Sequence, residues 1–388
     1  MKSRDIHLID TTLRDGAQAA GVVLSADDRF CIAQHLAAID ITEIEAGIPA
    51  MGDAEKEFLR GLTQKLSHCT IRAWCRALPA DLDHASQSGV RHVHIAFPFS
   101  EDHLRALHLP DHWPLQSLME LLPLACDSFS SVTVGVVDAS RAGTDRLQKF
   151  VEAALALGAR RVRIADTVGA LTPLATAALT RELNRSASPD QLEFHGHDDL
   201  GMAVGNTMAA IETGMGNASV TVLGLGERAG NAALEEVVMA LRVTRVARSR
   251  VVTQGLREIC DLVARLSRIP IPVGKAVVGS RAFIHESGIH THALARSSST
   301  YEPFPPEEAG HSASSFVAGT HSGSTGIMEM LRRHRISITR DCARELAEQV
   351  RDISARRKSV VTEEELLGLY RHLLSGKNPE ARECHIQR

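Results

Sequence analysis

The chain has 388 residues, 44% of them hydrophobic, with a formal net charge of -4 and a pI near 6.6. That length accommodates one barrel-sized domain with a smaller appendage, or two ordinary domains, and the charge balance argues against nucleic acid or an anionic membrane as the main partner. No apolar run approaches the ~20 residues of a membrane helix, and the start, "MKSRDIHLID", enters a strand-like alternation without the apolar core of a signal peptide.

In chain order, β-rich runs at 5–10, 42–48, 70–75, 92–97, 131–139, 161–166, 192–198 and 218–224 alternate with amphipathic stretches. Helical patterns occupy 25–39, 53–66, 143–157, 172–186, 201–214 and 231–247, with Ser25 and Thr172 placed as N-caps and Pro173 in a first turn. Eight strands alternating with helices predict an α/β fold, a (β/α)8 TIM barrel over residues 1–250; a doubly wound open sheet is the alternative. After residue 250 the rhythm stops. A helix at 253–269 ends at "IPIP", then come a Gly/His/Ser-rich segment (274–301), a Pro-rich turn (303–306), a Ser/Gly loop (311–326) and helices to about 375. Residues 251–388 therefore read as a smaller, mostly helical C-terminal region. Its basic clusters, Arg332-Arg333-His334-Arg335 and Arg356-Arg357-Lys358, read as solvated helix faces. Seven cysteines (31, 69, 75, 126, 260, 342, 384) form an odd set without CxxC pairs, which suggests reduced thiols in a cytoplasm.

Barrel enzymes carry their chemistry at the C-terminal ends of the strands. The first strand ends in "DTTLRDGAQ", presenting Arg14, Asp15 and Gln18, and the second in "EIEAGIP", with Glu45. The sixth ends in "ADTVG", with Asp166 and Thr167. The seventh is "LEFHGHDD", where Glu193, His195 and His197 share one face because strand side chains alternate. Two imidazoles on one face also serve as hydrogen-bonded caps at a barrel rim. With the Asp15 carboxylate from another strand they can converge on one divalent cation, Mg2+, Mn2+ or Zn2+. The loop "GLGERAGN" (224–231) has GxGxxxG spacing and opens no βαβ unit, so it is no dinucleotide fingerprint. Its glycines would let backbone approach a ligand closely, and Asn231 would be a helix N-cap or sit beside the metal.

"DTTLRDGAQ", "HGHDDLG", "GLGERAGNAALEE" and "FIHESGIHTHALARSSSTYE" together resemble the DRE-TIM metallolyase superfamily, closest to its Claisen-condensing branch of 2-isopropylmalate, citramalate and homocitrate synthases. "EAGIPAMG", "AWCR", "DASRA", "ADTVG" and the tail "ISARRKSVVTEEELLGLYRHL" resemble the nitrogen-fixation type of homocitrate synthase. The resemblance implies an acyltransferase making (R)-homocitrate from acetyl-CoA and 2-oxoglutarate. Asp15, His195 and His197 would hold the metal, with Asn231 beside it or ligating it, and Arg14 would stabilise enolate or alkoxide charge. His290, assisted by Tyr301, would take the methyl proton of acetyl-CoA from the neighbouring subunit of a homodimer, with His285 and His292 structural. Glu193 would stand beside the metal and orient water or the base, and Thr167 would contact a substrate carboxylate.

Departures from the family pattern are visible. Val137 stands where the family has the Glu of "EDASRA", a carboxylate that would orient the active-site arginine, so a slower enzyme or altered substrate handling is expected. Ala17 replaces a frequent Glu, Thr320 a Lys, and Thr133 an arginine that meets the far carboxylate of 2-oxoglutarate in lysine-pathway relatives. Arg76, a rim cation needing an anionic partner, is the expected substitute for that contact. Pyruvate, 2-oxoisovalerate or a specialised oxo acid is the alternative acceptor. A 3-hydroxy-3-methylglutaryl-CoA lyase-like enzyme and a non-catalytic barrel are the rivals outside this reaction.

Overall fold

A computed structural model describes residues 4–294 and 296–375. The chain forms two compact units, Met1–Ile271 and Pro272–Arg388. In the first, eight parallel strands close a barrel: β1 (His7–Asp10), β2 (Glu43–Gly47), β3 (Thr70–Arg76), β4 (His92–Pro98), β5 (Ser131–Val137), β6 (Arg161–Asp166), β7 (Leu192–Gly196) and β8 (Asn217–Val220). Because β1 pairs with both β2 and β8, the sheet has no edge, and the doubly wound alternative is excluded.

Each strand is buried on both sides, and its two faces differ in kind. One parity is apolar and packs under the helices: Ile44, Ile71, Val93, Val134, Val162, Ile164 and Phe194 are all fully buried. The other fills the lumen with charge. Glu43, Glu45 and Glu193 meet Arg72, Arg161 and Arg163 across the barrel, all nearly inaccessible. Three carboxylates balance three guanidiniums, the arrangement a low-dielectric lumen requires.

The helical connections explain the chain's rhythm. Ser25 caps Ala26–Ala38 in a reciprocal box with Asp28, and the Thr172 hydroxyl accepts from Ala175 N ahead of Pro173–Leu183. Helices Pro79–Gln87 and Trp113–Ser128 lie outside the helical stretches named from sequence. Each has proline in its first turn, and Pro123 interrupts the second internally. The eighth strand ends at Val220, earlier than predicted, as the chain turns into Val222–Gly224 with Leu223 in the left-handed region. The helix Leu256–Ser267 buries Ile259, Cys260 and Val263 and belongs to the first unit, whose limit at Ile271 lies beyond the predicted 250/251 boundary.

In the second unit, Ile284–His285 pairs in parallel with Ser315–Phe316. Helices Ser324–Arg333, Arg340–Arg357 and Glu363–Ser375 enclose a core that includes Ile327, Leu331, Leu346, Val350 and Leu366. Among the described residues no helix is long and apolar enough to cross a membrane. Cys31, Cys69, Cys75, Cys126, Cys260 and Cys342 are not joined in disulfides, and Cys384 lies outside the described residues.

Candidate metal centre

The segment after β1 is a tight turn that presents Arg14 and Asp15. Asp10 accepts from Thr12 N and Thr12 Oγ1, both at 2.9 Å, while Thr12 Oγ1 accepts from Val222 N at 2.8 Å. The Thr11 carbonyl receives the amides of Arg14 and Asp15 at 3.1 and 2.8 Å. Burial pushes the Asp10 carboxyl up to about 7, against the pull of its bonds to Thr12.

Asp15, His195 and His197 converge, all buried, with one ligand atom from each within 4.8 Å of the others. Asp15 Oδ2 lies 3.1 Å from His195 Nε2 and accepts from Arg14 Nη1 at 2.8 Å. Burial opposes ionisation of Asp15, but Arg14 and the histidines outweigh it and hold the carboxyl well below its usual range. Burial, reinforced by neighbouring His195, lowers His197 to about 4, so its ring is neutral and free to offer a lone pair. Asn231 is no helix cap. Its Nδ2 donates to Leu225 O at 2.8 Å and Asp15 Oδ1 at 3.3 Å, and its backbone bridges His197. His197 Nδ1 and Asn231 Oδ1 are buried with no hydrogen-bond partner. An unpartnered imidazole nitrogen and amide oxygen buried beside a carboxylate are groups a divalent cation can satisfy.

The glycines of "GLGERAGN" let the loop pack on itself. A Cβ on Gly226 would lie 2.1 Å from Asn231 Nδ2, and one on Gly230, at φ 95°, would lie 2.0 Å from Gly224 O. Both positions must be glycine for the loop to close around Asn231.

Arg14 is held from below. Its Nε donates to Glu45 Oε1 at 2.6 Å, Nη2 lies 2.6 Å from the same oxygen, and its guanidinium stands 5.7 Å from the Trp74 ring centre. Glu45 Oε2 in turn accepts from Arg163 Nη2 at 2.7 Å. The expectation that Val137 leaves the arginine without an orienting carboxylate is therefore corrected: Glu45 and Asp15 supply it.

Two further expectations change. Glu193 does not stand beside the metal cluster. It lies one lumen layer down, fully buried, where Oε2 accepts from Arg161 Nε at 2.6 Å and Oε1 from Arg163 Nε and Ser219 Oγ at 2.5 Å each. Both oxygens are engaged by these partners, and through them Glu193 braces Arg163. Arg76 already has its anion: Nη2 and Nε donate to buried Asp81 at 2.8 and 3.0 Å, which removes the motive for assigning it a substrate carboxylate. Gln18 is exposed in the Gly16–Gln18 turn after Asp15. Thr167 Oγ1 accepts from Asp138 N at 2.8 Å and keeps its proton to donate. Sequence reasoning missed Arg161 and Arg163, although "RVRI" places an arginine on every second residue of an otherwise apolar strand, which sends both into the lumen.

In the second unit, the rings of His290 and Tyr301 stack with centres 3.9 Å apart. His285 Nε2 lies 3.0 Å from Glu302 Oε1, and His292 Nδ1 lies 3.1 Å from Thr325 Oγ1.

The HMGL-like family model matches residues 5–263, and the homocitrate synthase post-HMGL domain-like model matches 277–358. Homocitrate synthase 1 of a Nostoc species is 40% identical over 361 residues, 93% of this chain and 95% of that protein. A 2-isopropylmalate synthase 2 of Caldanaerobacter subterraneus is 37% identical over 374 residues, 96% of this chain and 97% of its own. Among solved structures, hydroxymethylglutaryl-CoA lyase from Pseudomonas aeruginosa shares the fold with a TM-score of 0.62 at 22% identity, covering 76% of this chain and all of that one. The barrel with its rim cluster and the following module agree with these matches, and the chain belongs to the HMGL-like family, in the Claisen-condensing DRE-TIM branch that includes the homocitrate synthases.

Proposed function

We propose that this chain is an acyltransferase that condenses acetyl-CoA with 2-oxoglutarate and water to give (R)-homocitrate and CoA. The observation that carries the reading is the Asp15–His195–His197 cluster with the unpartnered nitrogen of His197 and amide oxygen of Asn231 beside it. Those four residues would hold Mg2+, Mn2+ or Zn2+, which when bound supplies Lewis acidity to the keto oxygen of a chelating 2-oxo acid.

The chain's own residues do the rest. Arg14 donates Nε–H to Glu45 and one Nη1–H to Asp15, with Nη2 close to the same Glu45 oxygen, and retains further N–H groups of its guanidinium for developing oxyanion charge. Losing such a donor costs ~2.7–4 kcal/mol in the barrier. Thr167 offers its hydroxyl proton, and Gln18 its amide, to acceptor oxygens. His290, stacked on Tyr301, takes the proton from the acetyl methyl group, and the carbanion electron pair forms the new bond to the keto carbon. The resulting alkoxide is protonated, and water cleaves the thioester to carboxylate and CoA thiol. A second copy of the chain would donate His290 and Tyr301. Exposed Val23, Met51, Leu174 and Leu200, in the segments that follow the C-terminal ends of strands β1, β2, β6 and β7, support a covered barrel mouth. A cytoplasmic, nitrogen-fixation setting accompanies this reading.

One observation favours a second acceptor. With Arg76 paired to Asp81 and Thr133 at the position of the family arginine, no cation is assigned to a distal carboxylate; Thr133 Oγ1 and its register neighbour's His94 Nδ1 are instead buried without partners. Pyruvate or 2-oxoisovalerate, which lack a distal carboxylate, is the alternative acceptor this observation keeps in play. A panel of these oxo acids with acetyl-CoA and Mn2+, following CoA thiol release and product mass, decides between them. Release with none of them refutes the condensation.

A further inference from the structure

One guanidinium ties together loops that surround the metal cluster. Arg228, in the loop after β8, donates from Nε to Asp199 Oδ1 at 2.7 Å and from Nη2 to Asp199 Oδ2 at 2.9 Å. The same Nη2 donates to the Thr167 carbonyl at 2.7 Å. Asp199 lies two residues beyond His197, Thr167 directly follows β6, and Arg228 stands three residues before Asn231. The three loops therefore carry a metal-cluster histidine, the proposed acceptor contact and the asparagine beside the cluster.

The surroundings are shaped for this contact. Gly169, at φ 61°, would place a Cβ 2.6 Å from Asp199 Oδ2 and 2.9 Å from Asp199 N, so only glycine lets the β6 loop receive Asp199. Arg228 itself sits at φ 58°, a left-handed backbone that costs a non-glycine residue free energy unless its bonds hold it there. Next along, Asp198 N donates to Gly230 O at 2.9 Å, and Gly230 N donates to Glu227 O at 2.9 Å. The Arg228 and Asp199 side chains are 44% and 25% exposed, so the ion pair contributes little stability by itself. Its consequence is geometric.

We propose that Arg228 is a positioning residue: by clamping Asp199 and the Thr167 carbonyl, it fixes His197 and Asn231 for the cation and Thr167 for the acceptor carboxylate. The inference rests on the reading of the cluster as a metal site. Outer partners of metal ligands typically change affinity 10–100-fold when lost.

The test is Mn2+ titration of the metal-stripped full chain, followed calorimetrically, for wild type, Arg228→Met, Arg228→Lys and Asp199→Asn, with circular dichroism to confirm folding. Removing Arg228 deletes a cation near the site, so charge alone would tighten Mn2+ binding; a weakening reports lost geometry. Arg228→Met is expected to weaken Mn2+ about tenfold or more. Arg228→Lys, which keeps the charge but lacks the fork to span both partners, should fall between the two, and Asp199→Asn should also weaken binding. The KM for whichever oxo acid the wild type uses should rise in Arg228→Met more than kcat falls. Unchanged or tighter Mn2+ binding in folded Arg228→Met overturns the proposal, as does a wild type that binds no Mn2+. If Arg228→Met does not fold, Arg228→Lys decides in the same way. A wild type that releases no CoA, but whose Mn2+ affinity still drops on losing Arg228, sinks the condensation reading and leaves the clamp standing.

Discussion

Replacing Glu193 by Gln separates a lumen role from a catalytic one. The substitution keeps shape and removes one of the three negative charges that balance Arg72, Arg161 and Arg163 in a sealed interior. Breaking a buried pair by neutralising one partner costs about 3–5 kcal/mol, because an uncompensated charge stays behind. For a domain of this size each kcal/mol moves the midpoint about 2–4 °C, so Tm should fall by roughly 6–20 °C. Arg163, released on one side, holds Glu45 less firmly, so kcat should fall with little change in the KM for either substrate. The pH dependence has a definite sign. Burial raises the Glu193 pKa, but Arg163 and Arg161 outweigh it and leave the group depressed below 4.5. Its stabilisation is therefore present above the unfolded value and lost as pH falls through the folded one, so the acid limb of the wild-type stability curve should flatten in the variant. Thermal melts from pH 3 to 8, paired with CoA-release kinetics, read both effects. A variant as stable as wild type but catalytically dead would refute the lumen argument and return Glu193 to the reacting centre.

Arg76→Ala should lower Tm by a few degrees by taking the guanidinium from buried Asp81, which keeps only the backbone N–H of residue 76, and leave the acceptor KM within about twofold; a selective rise in that KM would restore Arg76 to the substrate. Val137→Glu should not raise kcat, since Arg14 already contacts Glu45 and Asp15, and a severalfold gain in steady-state rate would show that it is under-oriented. Gly226→Ala should displace Asn231, which a Cβ would meet at 2.1 Å, and weaken Mn2+ binding of the stripped protein about tenfold, checked by calorimetry; unchanged affinity would place Asn231 outside the metal site.

The barrel was legible because its outer strand faces are apolar runs of constant spacing, and period two sent His195 and His197 to one side. Strand parity alone could not say how high each residue of that side stands. Glu193 shares the face of the two histidines, yet a strand rises ~3.3 Å per residue, so two residues place its backbone about 7 Å further back along the strand, where its carboxylate meets Arg161 and Arg163. Arg76 failed for a related reason: its partner Asp81 comes from the helix that begins three residues later, a local closure that hydrophobic patterning does not register. The Val137 departure looked like a loss only while Arg14 had one imagined partner. Buried charge is read by its neighbours across the barrel, and those neighbours sit 29 to 118 positions away in the chain. A lumen with equal numbers of carboxylates and guanidiniums cannot lose one member without moving the rest. The arginine at the metal centre is thus linked through Glu45 and Arg163 to Glu193, one layer down in the lumen.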